Sequence, residues 1–145
     1  MIFNLDSYSP KIKEIEDKKY IFDVIRKKYL VLTPEEWVRQ HFVNLLINHY
    51  GYSRSLIKME AGLTYHQLAK RSDILVYKND GSPFLLVECK SEDVKIDKSV
   101  LAQASRYNLK IRSPYLCVTN GWKTFCFGVD WENGTTVQLN DLPSF

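Results

Sequence analysis

The sequence contains no apolar run that approaches the roughly 20 residues needed to cross a bilayer. Its first six residues carry neither the basic start nor the apolar stretch of a secretory signal. It has only 3 cysteines and 3 histidines. With no C-x-x-C pair and scattered histidines, a zinc site is not indicated. Cys89, Cys117 and Cys126 stand in apolar surroundings, which predicts buried free thiols and a cytoplasmic location.

A length of 145 residues suits one domain, and a hydrophobic content of 45% excludes a disordered chain. The net charge of +3 permits nucleic-acid binding without requiring it, because phosphate contacts need clustered cations. We predict a single domain over residues 1–145, with a charged N-terminal arm over 1–30 and a core over about 31–130. The arm either lies in solvent, with a strand-like stretch over 20–25, or contacts phosphate groups.

The order of predicted elements indicates an α/β (α+β) fold in which helices flank a mixed β-sheet. Thr33 is a helix cap followed by proline, Glu36 completes a capping box, and Gly51 ends the helix. A second helix is predicted over 97–109. Strands are predicted over 55–60, 74–77, 84–89, 115–119 and 123–129, and a loose tail after Gly134.

The strands over 74–77 and 84–89 form a predicted hairpin that is apolar on both faces, as in a central strand covered by helices. One face carries Ile74, Val76, Leu85, Val87 and Cys89, and the other carries Leu75, Tyr77, Phe84 and Leu86. With Asp80 and Gly81 as the central residues of the turn, residue 77 pairs with 84 and Asp73 lies opposite Glu88. Two like charges in that position repel each other.

Strand alternation also places Lys90 on the same face as Glu88. A divalent cation would relieve the repulsion between two carboxylates, and Mg²⁺ prefers such oxygen ligands. Lys90 could then orient or deprotonate a water, or stabilise charge on a phosphoryl group. The alternative is a simple Glu88–Lys90 salt bridge at the end of a strand.

Gln103 and Tyr107 are four residues apart on the second helix and share a face. An amide and a phenol beside a charged site suit contacts to a phosphate or a nucleotide. The alternative is ordinary packing of a half-buried helix against the sheet.

The ordered set Arg71-Ser72-Asp73, Glu88-Cys89-Lys90 and Gln103…Tyr107 resembles the PD-(D/E)xK nucleases with a Q-x-x-x-Y extension. More narrowly, it is similar to the N-terminal nuclease domain of the type I restriction enzyme R subunit. Residues 32–40 and the stretch 118–121 also fit that group.

The resemblance implies a restriction-endonuclease-like fold and hydrolysis of DNA with Mg²⁺, for which Mn²⁺ could substitute. It implies that Asp73, Glu88 and the Cys89 carbonyl hold the metal and that Lys90 is catalytic. Gln103 and Tyr107 would support substrate binding or the geometry of the site. A third acid is either Glu36, which the capping box explains equally well, or Glu60.

The sequence has no Gly-x4-Gly-Lys-Ser/Thr loop, so it offers no motor of the kind that the R subunit carries. Three hypotheses therefore stand: a metal-dependent DNA nuclease, a non-catalytic DNA-binding or assembly module, and a structural partner in a restriction or repair complex. The expected partners are DNA and either a second copy of the chain or a larger complex, with no membrane.

Overall fold

Two β-sheets and two α-helices are formed by residues 8–59 and 74–145, the part of the chain that the computed structural model describes. The first sheet contains β1 (Ile12–Ile15), β2 (Lys18–Asp23) and β3 (Lys28–Val31). The second sheet contains, in spatial order, β4 (Ile57–Met59), β5 (Ile74–Tyr77), β6 (Pro83–Cys89), β7 (Tyr115–Thr119), β8 (Thr124–Asp130) and β9 (Thr135–Leu139). The helices are α1 (Pro34–Asn44) and α2 (Lys98–Ile111). The predicted α/β (α+β) class, a mixed sheet flanked by helices as in restriction endonucleases, is confirmed.

The charged N-terminal stretch is folded as an antiparallel sheet from residue 12 onward, rather than only strand-like over 20–25. Ile21 and Asp23 of β2 are buried, while all four residues of β1 are exposed. Asp23 accepts hydrogen bonds from the backbone N–H groups of Ile25 and Arg26. Its carboxylate also forms an ion pair with Arg26, whose Nε lies 2.7 Å from the Asp23 Oδ2. These bonds hold the turn between β2 and β3.

Helix α1 begins where the sequence predicts. The Thr33 hydroxyl accepts the Glu36 N–H at 3.0 Å, and Pro34 takes the first helical position. The α-helix passes into a π-helical turn over Leu45–His49 before the chain turns at Gly51, whose φ is +73°. A short 3₁₀ turn (Arg54–Leu56) then leads into β4, so the strand predicted from residue 55 begins at Ile57, while residue 60 lies outside the described residues.

The six-stranded sheet is antiparallel except between β6 and β7, which run parallel. One face packs against α1 around Val38, Phe42 and Leu46, and the other packs against α2 around Ala104 and Tyr107. The prediction of central strands covered by helices on both sides is therefore confirmed.

The β5–β6 hairpin differs from the prediction at its turn. The Gly81 N–H donates to the Lys78 carbonyl at 3.0 Å, so the central residues are Asn79 and Asp80 rather than Asp80 and Gly81. Tyr77 consequently pairs with Pro83 instead of residue 84. A bulge follows, and the predicted register returns at Val76↔Leu85, Leu75↔Leu86 and Ile74↔Val87.

The bulge also changes the face on which one side chain lies. Phe84 packs in the core on the α1 side, not with Leu75 and Leu86 on the α2 side. The other apolar residues of the hairpin lie on the predicted faces. An extra residue at a bulge reverses the alternation locally, which the period of two did not anticipate.

The C-terminal tail is ordered, so the prediction of a loose tail after Gly134 was wrong. Residues Thr135–Leu139 form β9 at the sheet edge, and Leu142 is buried in the α1-side core. The Tyr52 hydroxyl donates to the Pro143 carbonyl. The tail therefore closes one end of the core instead of trailing into solvent.

The three cysteines are buried and free, as predicted. The Cys117 and Cys126 sulfurs lie 3.1 Å apart on paired strands, and burial raises the pKa of the Cys117 thiol. In the described part of the chain, no helix is long and apolar enough to cross a membrane.

Candidate active site

A carboxylate and an ammonium meet where the buried strand β6 ends. Glu88 is only 2% exposed, and its Oε2 lies 2.9 Å from the Lys90 Nζ. Cys89, between them, points to the opposite face and packs in the α1-side core. Glu88 and Lys90 thus share one face of the sheet, as the strand alternation predicts, and the structure shows that this is the α2 side.

The connection that follows β6 is anchored to the neighbouring strand end. The Lys90 N–H donates to the Thr119 carbonyl at 2.8 Å, and the Asn120 side chain donates to the Val94 carbonyl at 2.7 Å. The Asn120 Oδ1 accepts the N–H groups of Trp122 and Lys123 and so shapes the β7–β8 turn. These bonds fix the backbone on which Lys90 stands.

Helix α2 begins at the same end of the sheet, because it connects the parallel neighbours β6 and β7. Asp97 caps it by accepting the Val100 N–H at 3.0 Å. The Ser99 hydroxyl and that N–H hold the pKa of the Asp97 carboxyl below its usual range.

Gln103 and Tyr107 are in different environments on this helix, since Gln103 is exposed and Tyr107 is buried. Tyr107 is buried in a cluster with Leu86 and Val118. Leu86 lies two residues before Glu88 on β6, and Val118 pairs with Glu88 across β7. Gln103 is exposed one turn earlier. The structure thus places Tyr107 under the same face as Glu88 and leaves Gln103 accessible to a ligand.

Asp73 and Glu60, the other predicted acids, lie outside the described residues. The register of β5 and β6 reaches Ile74↔Val87, one step from the predicted pairing of Asp73 with Glu88. Among residues 8–59 and 74–145, no three His, Cys, Asp or Glu side chains come together to hold a metal ion.

Glu36 is buried inside the first turn of α1. Its Oε2 accepts the Gln40 amide at 2.8 Å, and its Oε1 lies 3.3 Å from the Arg39 guanidinium. One of the two bonds of the predicted capping box is present, in which the Thr33 hydroxyl accepts the Glu36 N–H. The Glu36 carboxylate instead contacts Gln40 and Arg39. Glu36 therefore belongs to a buried polar cluster of α1.

A basic groove of about 500 Å³ runs beside the edge strand β4, and sequence analysis missed it. Its charged lining residues are Arg26, Lys27, Arg54 and Lys58. Because these cations come from segments about thirty residues apart, no local charge run indicated them. Lys58 pairs with Leu75, which puts it on the same sheet face as Glu88.

An exposed tryptophan stands near the end of the sheet that carries Glu88 and Lys90. Trp122 is 71% exposed in the β7–β8 turn, three residues after Thr119. The sequence indicates this exposed residue by a large aromatic side chain directly after an Asn-Gly turn, but Trp122 was not among the predicted contact residues.

Comparison with known proteins gives one family. The search of curated proteins returned no match. Residues 34–143, well over half of the chain, match the family described as the type I restriction enzyme R protein N terminus. The matched range includes α1, the whole six-stranded sheet and α2. The chain therefore belongs to the family of type I restriction enzyme R protein N-termini.

Proposed function

We propose that this domain is a Mg²⁺-dependent nuclease of the PD-(D/E)xK kind that hydrolyses DNA phosphodiester bonds. The observation that carries the proposal is the Glu88–Lys90 pair, 2.9 Å apart at the end of a buried central strand. A restriction-enzyme family membership supports DNA as the substrate. Burying charge is costly, so an acid and a lysine kept in this position favour a chemical role.

The proposed metal ligands are the carboxylates of Glu88 and Asp73 with the Cys89 carbonyl. Carboxylate and carbonyl oxygens are the donors that Mg²⁺ prefers. Support for Asp73 comes from the β5–β6 register, whose last described pair is adjacent to the Asp73–Glu88 position. The bound ion would polarise the scissile phosphate and neutralise developing charge.

Lys90 is the proposed catalytic lysine. Its ammonium is held beside the Glu88 carboxylate and its backbone is anchored to β7, so its position is restricted before substrate arrives. In phosphoryl transfer most of the protein's contribution is positioning and electrostatic stabilisation. Lys90 would orient the attacking water or stabilise the negative charge on the phosphoryl oxygens.

Two features outside this pair offer contacts for DNA. The groove lined by Arg26, Lys27, Arg54 and Lys58 suits a phosphate backbone, and the exposed Trp122 suits a base. Gln103 would reach the substrate, while the buried Tyr107 would support the packing beneath Glu88. Glu36, held by Gln40 and Arg39, is proposed as a third acid only if it moves towards the metal.

The experiment is cleavage of single-stranded, duplex and branched DNA with Mg²⁺ or Mn²⁺ by the protein and by Lys90→Ala. We expect metal-dependent cutting that Lys90→Ala lowers by roughly 100-fold or more, as for the loss of one electrostatic group. Lys95→Ala is the matched control, because Lys95 also follows an acid by two residues but is exposed. Cutting that survives Lys90→Ala, or falls equally in Lys95→Ala, would reject the catalytic assignment.

A second candidate is a non-catalytic DNA-binding or assembly module, which the four cations of the basic groove favour. It predicts salt-dependent DNA binding that neither a chelator nor Glu88→Gln changes, with no cleavage under any metal. Replacing Arg54 and Lys58 by alanine would weaken this binding. It would also reduce the slope of log K against log salt concentration by about two at most.

A further inference from the structure

The outward face of the N-terminal sheet combines cations with aromatic rings. We propose that this face binds single-stranded DNA, with its aromatic side chains stacking on bases and its lysines contacting phosphates. The inference does not depend on cleavage of DNA at Glu88 and Lys90. The face, called the cationic face below, carries Lys11, Lys13, Lys18, Tyr20, Phe22 and Tyr29, together with the exposed apolar residues Ile15 and Val31.

Strand register establishes which residues share this face. Lys13 lies opposite Tyr20, and Phe22 lies opposite Tyr29, so these side chains project from the same side of the sheet. Lys18 lies two residues before Tyr20 along β2, so their side chains project from the same face. The Lys11 carbonyl accepts the Phe22 N–H at 2.9 Å, which extends the pairing of β1 and β2 by one residue.

The same register keeps the strand carboxylates away from the cationic face. Glu14 pairs with Lys19 on the opposite side, and Asp23 is buried there and forms an ion pair with the half-buried Arg26. The acids of the β1–β2 turn, Glu16 and Asp17, lie beyond the strand ends. The strands described here therefore present three lysines and no carboxylate on this side, which is electrostatically complementary to a nucleic-acid backbone.

The rings on this face are accessible and already contacted by cations. Phe22 and Tyr29 are half-buried, with ring centroids 5.2 Å apart. The Lys13 Nζ lies 4.1 Å from the Tyr29 centroid, and the Lys11 Nζ lies 5.5 Å from that of Phe22. Lys13 and Lys11 are thus each adjacent to a ring, so a cation is close to each surface on which a base could stack.

The lysines do not prevent a base from reaching the rings. An exposed cation–π contact is worth about 0.5–1 kcal/mol. Stacking of a base on an aromatic side chain is worth about 1–3 kcal/mol. A base can therefore displace the ammonium from the ring, and the displaced Lys13 or Lys11 remains close enough to bind the adjacent phosphate.

Single-stranded DNA fits this surface better than duplex DNA or a protein. The bases of a duplex are stacked on each other and hidden from a flat sheet, whereas those of a single strand are free to stack on rings. Aromatic residues are enriched in protein–protein interfaces but lysine is depleted there, so the three lysines on this face favour a polyanion over a protein partner. The β2–β3 turn beside Phe22 and Tyr29 also carries Arg26 and Lys27 of the basic groove, so a strand could continue from the face into that groove.

The test is fluorescence anisotropy of a labelled oligo-dT, in the presence of EDTA, with a duplex and an oligo-U of the same length as comparisons. We expect oligo-dT to bind most tightly, with an affinity that falls as salt rises. Tyr29→Leu should weaken binding by roughly 5- to 100-fold, as for loss of one stacked base. Lys13→Glu should also weaken binding and flatten the salt dependence.

Lys19→Glu is the matched control, because it makes the same charge change on the next strand but on the opposite face. It should bind oligo-dT within about twofold of the unchanged protein once the remaining long-range charge effect is screened. Equal weakening by Lys13→Glu and Lys19→Glu, duplex binding as tight as oligo-dT, or tighter binding of oligo-U would each overturn the proposal. Since Lys13 is exposed, Lys13→Glu decides the question even if Tyr29→Leu unfolds the sheet.

Separate measurements of binding and of cutting distinguish this proposal from the nuclease. Binding is measured in EDTA, so that no metal takes part, and cutting is measured with Mg²⁺. A protein that binds oligo-dT without ever cutting DNA would support the cationic face and reject the nuclease. A protein that cuts DNA but binds oligo-dT equally well after Tyr29→Leu and Lys13→Glu would support the nuclease and reject the cationic face.

Discussion

At the scale of single residues, Glu88 is the side chain whose position most needs an explanation. It is 2% exposed at the end of a strand that is otherwise apolar, and Lys90 is its ion-pair partner. Buried ion pairs are weak stabilisers, because desolvation offsets most of the Coulomb attraction. An apolar pair would serve the fold at least as well, which supports the proposed binding of a cation and a phosphate at this position.

Glu88→Gln should remove the response of the protein to divalent cations. We expect Mg²⁺ or Mn²⁺ to raise the melting temperature, since a ligand that binds only the folded state stabilises it by about 2.7 kcal/mol at 100 times its Kd. The glutamine variant keeps the shape of the side chain but loses the charged ligand, so its melting temperature should not change with metal. Differential scanning fluorimetry with and without EDTA measures both.

Glu92→Gln provides the comparison, because Glu92 lies in the connection after β6 and is not on the strand. It should retain the full metal response. A Glu88→Gln protein that metal still stabilises would show that the cation binds elsewhere.

At the scale of elements, the β5–β6 hairpin shows how a turn and a bulge can compensate each other. The turn centred on Asn79 and Asp80 shifts the pairing by one residue, and the bulge near Phe84 shifts it back. The register beyond Val76 is therefore the one that turn arithmetic predicted, although the turn itself was assigned one residue too late. This register is what directs Glu88 towards the α2 side.

Gly81→Ala should destabilise the hairpin, because Gly81 has a φ of +88°. No atom lies within 4 Å of the added Cβ, so the penalty is conformational and should be about 1–2 kcal/mol. Urea unfolding followed by circular dichroism gives the change in the free energy of unfolding.

Gly128→Ala is the matched variant on β8. It has no positive φ, and its added Cβ meets the Tyr115 ring at an ordinary 3.7 Å. It should leave stability unchanged or raise it by roughly 0.5–1 kcal/mol, because glycine weakens strand interiors. A Gly81→Ala protein as stable as Gly128→Ala would contradict the assigned turn.

At the scale of the whole molecule, the C-terminal tail joins distant parts of the chain. The Tyr50 hydroxyl donates to the Asp141 carboxylate at 2.5 Å, and the Phe145 ring packs 5.2 Å from that of Phe84. That bond holds the pKa of Asp141 below its usual range. Together with Tyr52, which is 2% exposed, these contacts seal the α1-side core near the β5–β6 hairpin.

Tyr52→Phe should change how stability depends on pH. Burial raises the pKa of Tyr52 above the ordinary value of about 10. The folded state then keeps a proton that the unfolded state loses, so the contribution of Tyr52 is present below pH 10 and is lost as pH rises above it. At neutral pH the variant should lose about 0.5–1.5 kcal/mol with the hydrogen bond to Pro143.

Above pH 10 the difference between the two proteins should shrink, because the phenylalanine variant has no phenol to ionise at this position. Urea unfolding at neutral and alkaline pH measures both effects. A difference that stays constant with pH would show that Tyr52 does not retain its proton on folding.

Local patterns were sufficient for the elements and for part of the candidate site. The Thr33 cap, the two helices and the strands that carry Glu88 depend on neighbouring residues, which is why they were predicted. The tail and the N-terminal sheet were not, because polar, exposed strands such as β1 and β9 lack a strong apolar alternation. Their formation depends on pairing with other strands.

The amino-acid sequence by itself determined the alternation that puts Glu88 and Lys90 on one face and Cys89 on the other, because side chains follow the backbone period. Only the tertiary structure decided what surrounds them. The groove that unites Arg26 with Arg54, and the packing of Phe84 against Phe145, result from contacts between segments far apart in the chain. Such contacts depend on how sheets and loops pack, and no local pattern of residues specifies them.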